Sequence, residues 1–257
     1  MPRVSIVIPV YDEEESVETL HRELDAALAD VAGGVEIVFV DDGSRDRSLA
    51  RLRAIAAKDA RVRVVELDGN QGQTAAFAAG FAAVTGDVTV TLDADLQNDP
   101  ADIPRLLARM DETGADVVNG VRAHRHDSSV RLVSSRIANG ARNRVTRESV
   151  TDVGCSLRAM RTVYVKRVRL FRNMHRFLPT LLRMEGASRQ VEMPVAHRAR
   201  RYGRSKYGIG NRLWVGIADL YGVRWMQARH LRVRVKGGGE GLHQERREPD
   251  ERSPLDR

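Results

Sequence analysis

The sequence predicts an α/β fold in which a mostly parallel sheet is flanked by helices, and three features predict it. Short apolar runs, at Val4–Ile8, Val35–Val40 and from Val62, alternate with stretches of helical spacing. The apolar run Val88–Leu92 passes directly into the acidic stretch Thr91–Pro100. That junction is where ligands bind in an open α/β sheet, just beyond the carboxyl end of a buried strand. Finally, glycine- and proline-bounded turns separate the runs at short intervals, as consecutive strand–helix units require.

The first strand is stopped by Pro9, which cannot donate to a sheet, and the loop Val10–Glu15 follows it. Ser16 is placed to cap a helix whose Val17, Leu20, Leu24 and Leu28 share one face. The second strand ends at Asp41–Ser44, with Gly43 permitting a sharp turn, and Leu49, Leu52 and Ile55 mark the inner face of the next helix. An Asp41 or Asp42 carboxylate suits a base or ribose, while Asp46 serves equally well as a helix cap. Gly69–Thr74 leads into the small-residue helix Ala75–Gly80, where either a nucleotide edge or close helix–sheet packing calls for glycine and alanine. Asp99 is placed to cap a helix starting near Pro100 to Ile103, and Ala115–Val118 reads as a further strand.

Asp93 and Asp95 stand one residue apart in the acidic stretch. Two carboxylates at that spacing can turn toward one hard cation, with Gln97 adding a neutral oxygen, which suits a metal-bound diphosphate; the other reading is a solvated capping loop.

The charge is divided along the chain. Residues 1–120 carry 11 Lys/Arg against 23 Asp/Glu, and residues 121–257 carry 31 against 12, for a net +7 overall. An acidic half suits a cation and its nucleotide, whereas an arginine-rich half suits phosphate, nucleic acid or an anionic membrane face. The turn Pro9–Glu15 lacks the glycines of a dinucleotide site, and no glycine-rich Lys-Ser/Thr phosphate loop occurs, which argues against NAD enzymes and P-loop NTPases. A single cysteine, Cys155, excludes an internal disulfide and a Cys-rich zinc site. With no adjacent histidine arrangement, it reads as a buried filler.

In the basic half, Asp152–Leu157 is an extended segment with an isolated acid, and Phe171–Met184 alternates basic and apolar residues, His175 and Arg176 being placed to face a phosphate. Val191–Val195 reads as an edge strand because it contains Pro194. His197–Gly208 is a basic loop suited to closing over phosphate oxygens, and the alternative is a charged linker. Asn211–Met226 is apolar but shorter than the ~20 residues that cross a bilayer. It places Trp214, Tyr221 and Trp225 beside Arg212, Arg224 and Arg229, the mixture found in interfacial helices, with a protein-covered helix as competitor. Residues from Gly237 onward have the composition of a disordered tail.

Together, Ile6–Glu14, Val40–Asp46, Asp93–Gln97, Thr151–Cys155 and Gly203–Gly208 resemble the family 2 glycosyltransferases that load a polyprenyl phosphate, the group of dolichyl-phosphate mannose synthase and bacterial polyprenyl-phosphate glycosyltransferases. The resemblance covers about residues 3–230. It implies a GT-A fold, a Rossmann-like nucleotide-diphospho-sugar transferase architecture. Pro9, Tyr11, Glu13 and Asp42 would surround the base and ribose, with Gly72 and Ala94 nearby. Asp93, Asp95 and Gln97 would hold Mg²⁺ or Mn²⁺. Arg122 and Arg136, or Arg131 in place of the latter, would meet the lipid phosphate, while Arg201, Arg204 and Lys206 close over donor or acceptor. Asp95, Asp152, Arg122 and Arg136 form the implied catalytic set, with Asp152 as an orienting group.

The implied reaction is inverting transfer of a hexosyl group from a UDP- or GDP-sugar to undecaprenyl or dolichyl phosphate. Its partners would be an anionic membrane surface and a membrane-protein partner, with no nucleic acid, and its place would be cytoplasmic, peripheral at the inner face of the plasma membrane. The implied organisation is a nucleotide-sugar half at 1–120, an acceptor half at 121–208, an interfacial segment at 209–236 and a tail at 237–257. Two other functions stay open: a family 2 enzyme acting on a sugar hydroxyl, which would benefit from a general base, and a non-enzymatic nucleic-acid-binding module, which leaves the placing of Asp93 and Asp95 unexplained.

Overall fold

A computed structural model describes residues 4–123, 140, 142–147, 150–200 and 212–231, with side chains from 216 onward in the last segment. Arg131, Arg136, Arg201, Arg204, Lys206, the side chain of Trp214 and the tail at 237–257 lie outside the described residues.

The first half alternates as expected: β1 (Val4–Val10), α1 (Val17–Leu28), β2 (Val35–Asp41), α2 (Ser48–Ala56), β3 (Val62–Glu66), α3 (Gln73–Ala83), β4 (Val88–Thr91) and α4 (Ile103–Thr113). Then come β5 (Val117–Arg122), β6 (Arg158–Arg161), α5 (Thr162–Val165), α6 (Leu178–Met184), β7 (Gln190–Val195) and α7 (Arg212–Arg229). The seven strands form one mixed sheet in the order β3-β2-β1-β4-β6-β5-β7. β1 runs parallel to both β2 and β4, with Val4 opposite Val35 on one side and Val88 on the other. β6 runs antiparallel to both of its neighbours, β4 and β5. Strand order therefore reverses at β1, and a crevice opens beyond the carboxyl ends of β1 and β4.

Alternation along β1 builds both faces. Ile6 and Ile8 join Leu20, Leu24, Leu106 and Met110 in one layer, while Val7 joins Ala76, Phe77, Phe81, Leu178 and Leu182 in the other. Each fully buried leucine contributes about 1.5–3 kcal/mol relative to an exposed one. The small residues of α3 serve close packing: a Cβ on Gly80 would overlap the Val7 side chain of β1.

Several local expectations change. Ser16 precedes α1 but makes no side-chain cap; its hydroxyl instead donates to Glu13 Oε2 at 3.2 Å. Asp99 does cap, accepting from Ala101 N at 3.0 Å, although the first turn it caps is 3₁₀ and α4 begins only at Ile103. The strand expected at Ala115–Val118 runs instead from Val117 to Arg122. Segment Asp152–Leu157 is a loop, and the strand follows it at Arg158. The expected edge strand is β7, parallel to β5 at the end of the sheet.

Candidate active site

A cleft of about 340 Å³ lies at the reversal point, lined by Pro9, Val10, Tyr11, Glu13, Asp42, Asn70, Gly72, Gln73, Asp93, Ala94, Asp95 and Arg200. Its walls are the loops after β1, β2, β3 and β4. The first two are joined by reciprocal hydrogen bonds: Asp12 N donates to Ser44 Oγ at 3.0 Å and Arg45 N to Asp12 Oδ1 at 2.7 Å. One step along, Glu14 N donates to Asp46 Oδ2 and Arg47 N to Glu14 Oε2, both at 3.0 Å. The polar side chains of these turns thus satisfy loop amides and tie the two loops together.

Asp42 holds the next wall. Its carboxylate accepts from Gln71 N at 2.7 Å and from Gly72 N at 2.9 Å. Burial raises its pKa from the usual carboxylate value, and these two donors only partly offset the rise. Gly43 sits at φ +70°, with space for a Cβ taken by the backbone of Gly69 and by Asn70 N, 2.6 Å away. Glycine there lets the loop after β3 approach the loop after β2.

Asp93 and Asp95 share the floor. Gln73 Nε2 donates to Asp93 Oδ1 at 2.9 Å. Desolvation first, and then the charge of Asp95, push the Asp93 carboxyl up to about 6, against a hydrogen bond with Ser156 and the charges of Arg158 and Arg200. Arg200 Nη2 stands 2.7 Å from Asp95 Oδ2. Among the described residues no group of three or more His, Cys, Asp or Glu gathers for a metal. Two repelling carboxylates, one of them paired with a guanidinium, are a hard-oxygen donor set that would suit a divalent cation. Gln97 is not among the cleft residues. Leu96 adopts φ +61°, and beyond that left-handed turn Gln97 Nε2 donates toward Arg198 O at 3.5 Å.

Asp152 and Arg122, two members of the expected catalytic set, pair with each other. Arg122 Nε donates to Asp152 Oδ2 at 2.7 Å and Arg122 Nη2 to Asp152 Oδ1 at 2.8 Å. Asp152 also accepts from Arg122 N and Gly154 N, each at 3.2 Å. Arg158, buried in β6, feels the charges of Asp152, Asp93 and Arg122, so it lies electrostatically between this pair and the cleft floor. Cys155 is buried, and desolvation raises its thiol to about 11, which removes it as a nucleophile at neutral pH. His175 does not serve as a phosphate-facing cation. It shares a 2.7 Å hydrogen bond between Nδ1 and Thr74 Oγ1, and burial lowers its pKa to about 4, leaving it neutral.

Sequence reasoning placed Pro9, Tyr11, Glu13, Asp42, Gly72, Asp93, Ala94 and Asp95 at one site, and all eight line the cleft. It missed Asn70 and Gln73, although both lie in the loop it singled out, and it missed Arg200, adjacent to the expected Arg201.

The last helix divides its faces. Val223 packs with Met174, Phe177 and Leu181, whereas Ile217, Tyr221 and Trp225 are 37, 68 and 61 % exposed. These three follow one another at intervals of four and form one stripe. Arg229 lies over the Trp225 ring, 5.3 Å from its centroid. Among the described residues no helix is long and apolar enough to cross a membrane.

Comparison with known proteins agrees with this arrangement. The model for Glycosyl transferase family 2 matches residues 5–169. An undecaprenyl-phosphate 4-deoxy-4-formamido-L-arabinose transferase of Pseudomonas aeruginosa is 47 % identical over 242 residues, covering 93 % of this chain and 70 % of that protein. The protein of the same name from Edwardsiella ictaluri is 44 % identical over 207 residues, covering 80 % of this chain and 63 % of the relative. The chain thus spans roughly two thirds of the length of these relatives. Among solved structures, glucosyl-3-phosphoglycerate synthase from Mycobacterium tuberculosis in complex with Mn²⁺, UDP and glucosyl-3-phosphoglycerate superposes with a TM-score of 0.60 at 20 % identity, over 88 % of this chain and 77 % of that one. The same enzyme with UDP gives 0.63, over 88 % and 80 %. The mixed seven-stranded sheet flanked by helices is a GT-A fold, and the chain belongs to the family 2 glycosyltransferases.

Proposed function

We propose that the protein transfers a glycosyl group from a nucleotide-diphosphate sugar to a polyprenyl phosphate, with inversion at the anomeric carbon. The observation that carries the donor half is the single cleft that Tyr11, Glu13, Asp42 and the Asp93–Asp95 pair line together. The acceptor follows the relatives, whose name specifies undecaprenyl phosphate and a 4-deoxy-4-formamido-L-arabinose group. That sugar is the first donor to test, followed by hexosyl donors linked to UDP or GDP.

Asp93 and Asp95 would hold Mg²⁺ or Mn²⁺, with Gln97 in support through the turn it shares with them. Such a cation, when bound, would neutralise charge on the departing nucleoside diphosphate. Asp42 fixes the Gln71–Gly72 turn against which base or ribose would rest. Arg122, held by Asp152, would present positive charge to the acceptor phosphate, and Arg136, Arg201, Arg204 and Lys206 would complete the basic surround. An acceptor phosphate, with a second pKa of about 6, is already ionised near neutral pH and attacks without a strong general base. Because both Asp152 oxygens accept from Arg122, the pair is arranged to orient a cation rather than to take up a proton. That favours a phosphate acceptor over a sugar hydroxyl.

The reaction is proposed to run at the inner face of the plasma membrane, the stripe of Ile217, Tyr221 and Trp225 with Arg224 and Arg229 resting on anionic lipid. The test is mass spectrometry of lipid extracts after incubating the protein with Mn²⁺, a short polyprenyl phosphate and each candidate donor. A glycosylated polyprenyl phosphate, absent with Asp95→Ala, supports the reading. Transfer to a sugar hydroxyl with none to the lipid phosphate overturns it.

A further inference from the structure

Arg200 reaches the cleft from a segment far along the chain, and the way it is held points to a purpose. Arg198 N donates to Gln97 O at 2.8 Å, and His197 forms a bridge with Asn98. The Arg198 guanidinium pairs with Asp99 at 2.6 Å and with Glu23 at 2.7 Å. The segment is therefore fastened along the acidic stretch on both sides of its backbone, and this fastening delivers Arg200 to Asp95. Its Nη2 lies 2.7 Å from Asp95 Oδ2, and the two side chains are only 29 and 10 % exposed. Its Nη1 is buried with no hydrogen bond among the described residues and stands in an ion pair with Glu13 Oε1 at 3.6 Å.

The Oδ2 atom that accepts from Arg200 is one of the few oxygens available to a cation on the cleft floor. A free divalent ion approaching it must displace a guanidinium from Asp95, or stand against its charge beside the Glu13 carboxylate. A cation that arrives chelated to a diphosphate brings anionic oxygens with it, and a planar guanidinium pairs with such oxygens through two parallel hydrogen bonds. Nη1, which makes no hydrogen bond among the described residues, is a donor that one of them would take up.

We propose that Arg200 is a specificity-determining gate on the acidic pair: it closes Asp95 to free divalent cations and yields it to a cation already chelated by a nucleoside diphosphate. This rests on the reading of the cleft as a sugar-nucleotide site. It assigns to Arg200 a role before any chemistry, in choosing which form of the metal enters.

The experiment titrates MnCl₂ into the full chain, reading free Mn²⁺ by electron paramagnetic resonance, first alone and then with UDP or GDP. Without nucleotide, Arg200→Ala and Arg200→Gln are expected to bind Mn²⁺ about tenfold tighter than wild type, the scale of one charge-assisted contact removed. Arg45→Ala, which removes an exposed cation from the same end of the sheet, is expected to change Mn²⁺ affinity less than about twofold, as screened surface charge does. With UDP or GDP present, the advantage of the Arg200 variants is expected to vanish or reverse. The gate is overturned if both Arg200 variants bind free Mn²⁺ no tighter than wild type, or if Arg45→Ala gains as much as they do. The underlying reading fails separately, if wild type takes up neither Mn·UDP nor Mn·GDP and Asp95→Asn changes nothing.

Discussion

Replacing Asp152 by asparagine removes a charge while keeping the shape of the side chain. In the native structure the two Asp152 oxygens receive Arg122 Nε and Nη2 at 2.7 and 2.8 Å, and the side chains are 5 and 14 % exposed. Asparagine offers one oxygen, and its amide hydrogens face a guanidinium that also donates. Removing one partner of a buried pair costs about 3–5 kcal/mol, because the other charge stays buried without compensation. Arg122 retains a little access to water, so a loss of about 3 kcal/mol is expected, or roughly 6–12 °C in Tm for a chain of this size. Urea denaturation of Asp152→Asn, Arg122→Gln and the double variant measures it. The double variant should cost less than the sum of the singles by about 2 kcal/mol. Turnover then separates orientation from proton transfer: Asp152→Asn should raise KM for the acceptor and leave the shape of the pH–rate profile intact. Additive stabilities, or loss of the acidic limb in that profile with KM unchanged, would refute the orienting role.

Three further outcomes follow from other parts of the structure. His175 is held at about 4 against an ordinary value of 6.5, by desolvation first and then by the charges of Arg176 and Arg158. The unfolded chain takes up this proton as pH falls through 6.5 and the folded chain only near 4, so stability should decline across that window by about 3 kcal/mol in all. Urea midpoints from pH 7 to pH 5 should fall less steeply in His175→Asn, which keeps an acceptor for Thr74; parallel slopes would contradict the assignment. Gly43→Ala should cost about 2 kcal/mol and weaken nucleoside diphosphate binding, measured by calorimetry, because its Cβ meets the Gly69–Asn70 backbone of the cleft wall. Tyr221→Ser with Trp225→Ser should reduce binding to anionic liposomes at moderate salt while moving Tm by no more than about 1 °C, as expected for side chains exposed to this degree. Unchanged liposome binding would remove the interfacial role.

The first half of the fold was legible because each of its elements carries its own signal. β1 and β2 are continuous apolar runs buried on both faces, and α1 shows Val17, Leu20, Leu24 and Leu28 on one side. β6 was not legible. It is four residues long, is bounded by Arg158 and Arg161, and owes its place to pairing with β4 and β5 on either side. β5 was shifted in the reading because Asn119 and Gly120 look like a turn, yet Asn119 lies buried opposite Arg158 and Glu192.

The same contrast holds at the site. Asp93 and Asp95 follow a strand end directly, so local sequence carries their position. Gln97 follows a leucine at positive φ, a conformation that side-chain pattern does not announce. Arg200 is 105 residues from Asp95, and the pairing of Asn98 with His197 and the Arg198 contacts help bring the two together. Cys155, read as a filler, is buried, and Asp152 pairs with Arg122, its orienting task being a proposal that the turnover of Asp152→Asn decides.

The most direct test of the central claim is nucleoside diphosphate release from UDP- and GDP-sugars, the 4-deoxy-4-formamido-L-arabinose donor among them, followed with and without a short polyprenyl phosphate in the presence of Mn²⁺ or Mg²⁺. The account expects release that requires the lipid phosphate, disappears on chelation of the metal and is lost in Asp95→Ala. Metal-dependent donor binding with no stimulation by the lipid phosphate would contradict it and leave a GT-A enzyme whose acceptor is a hydroxyl.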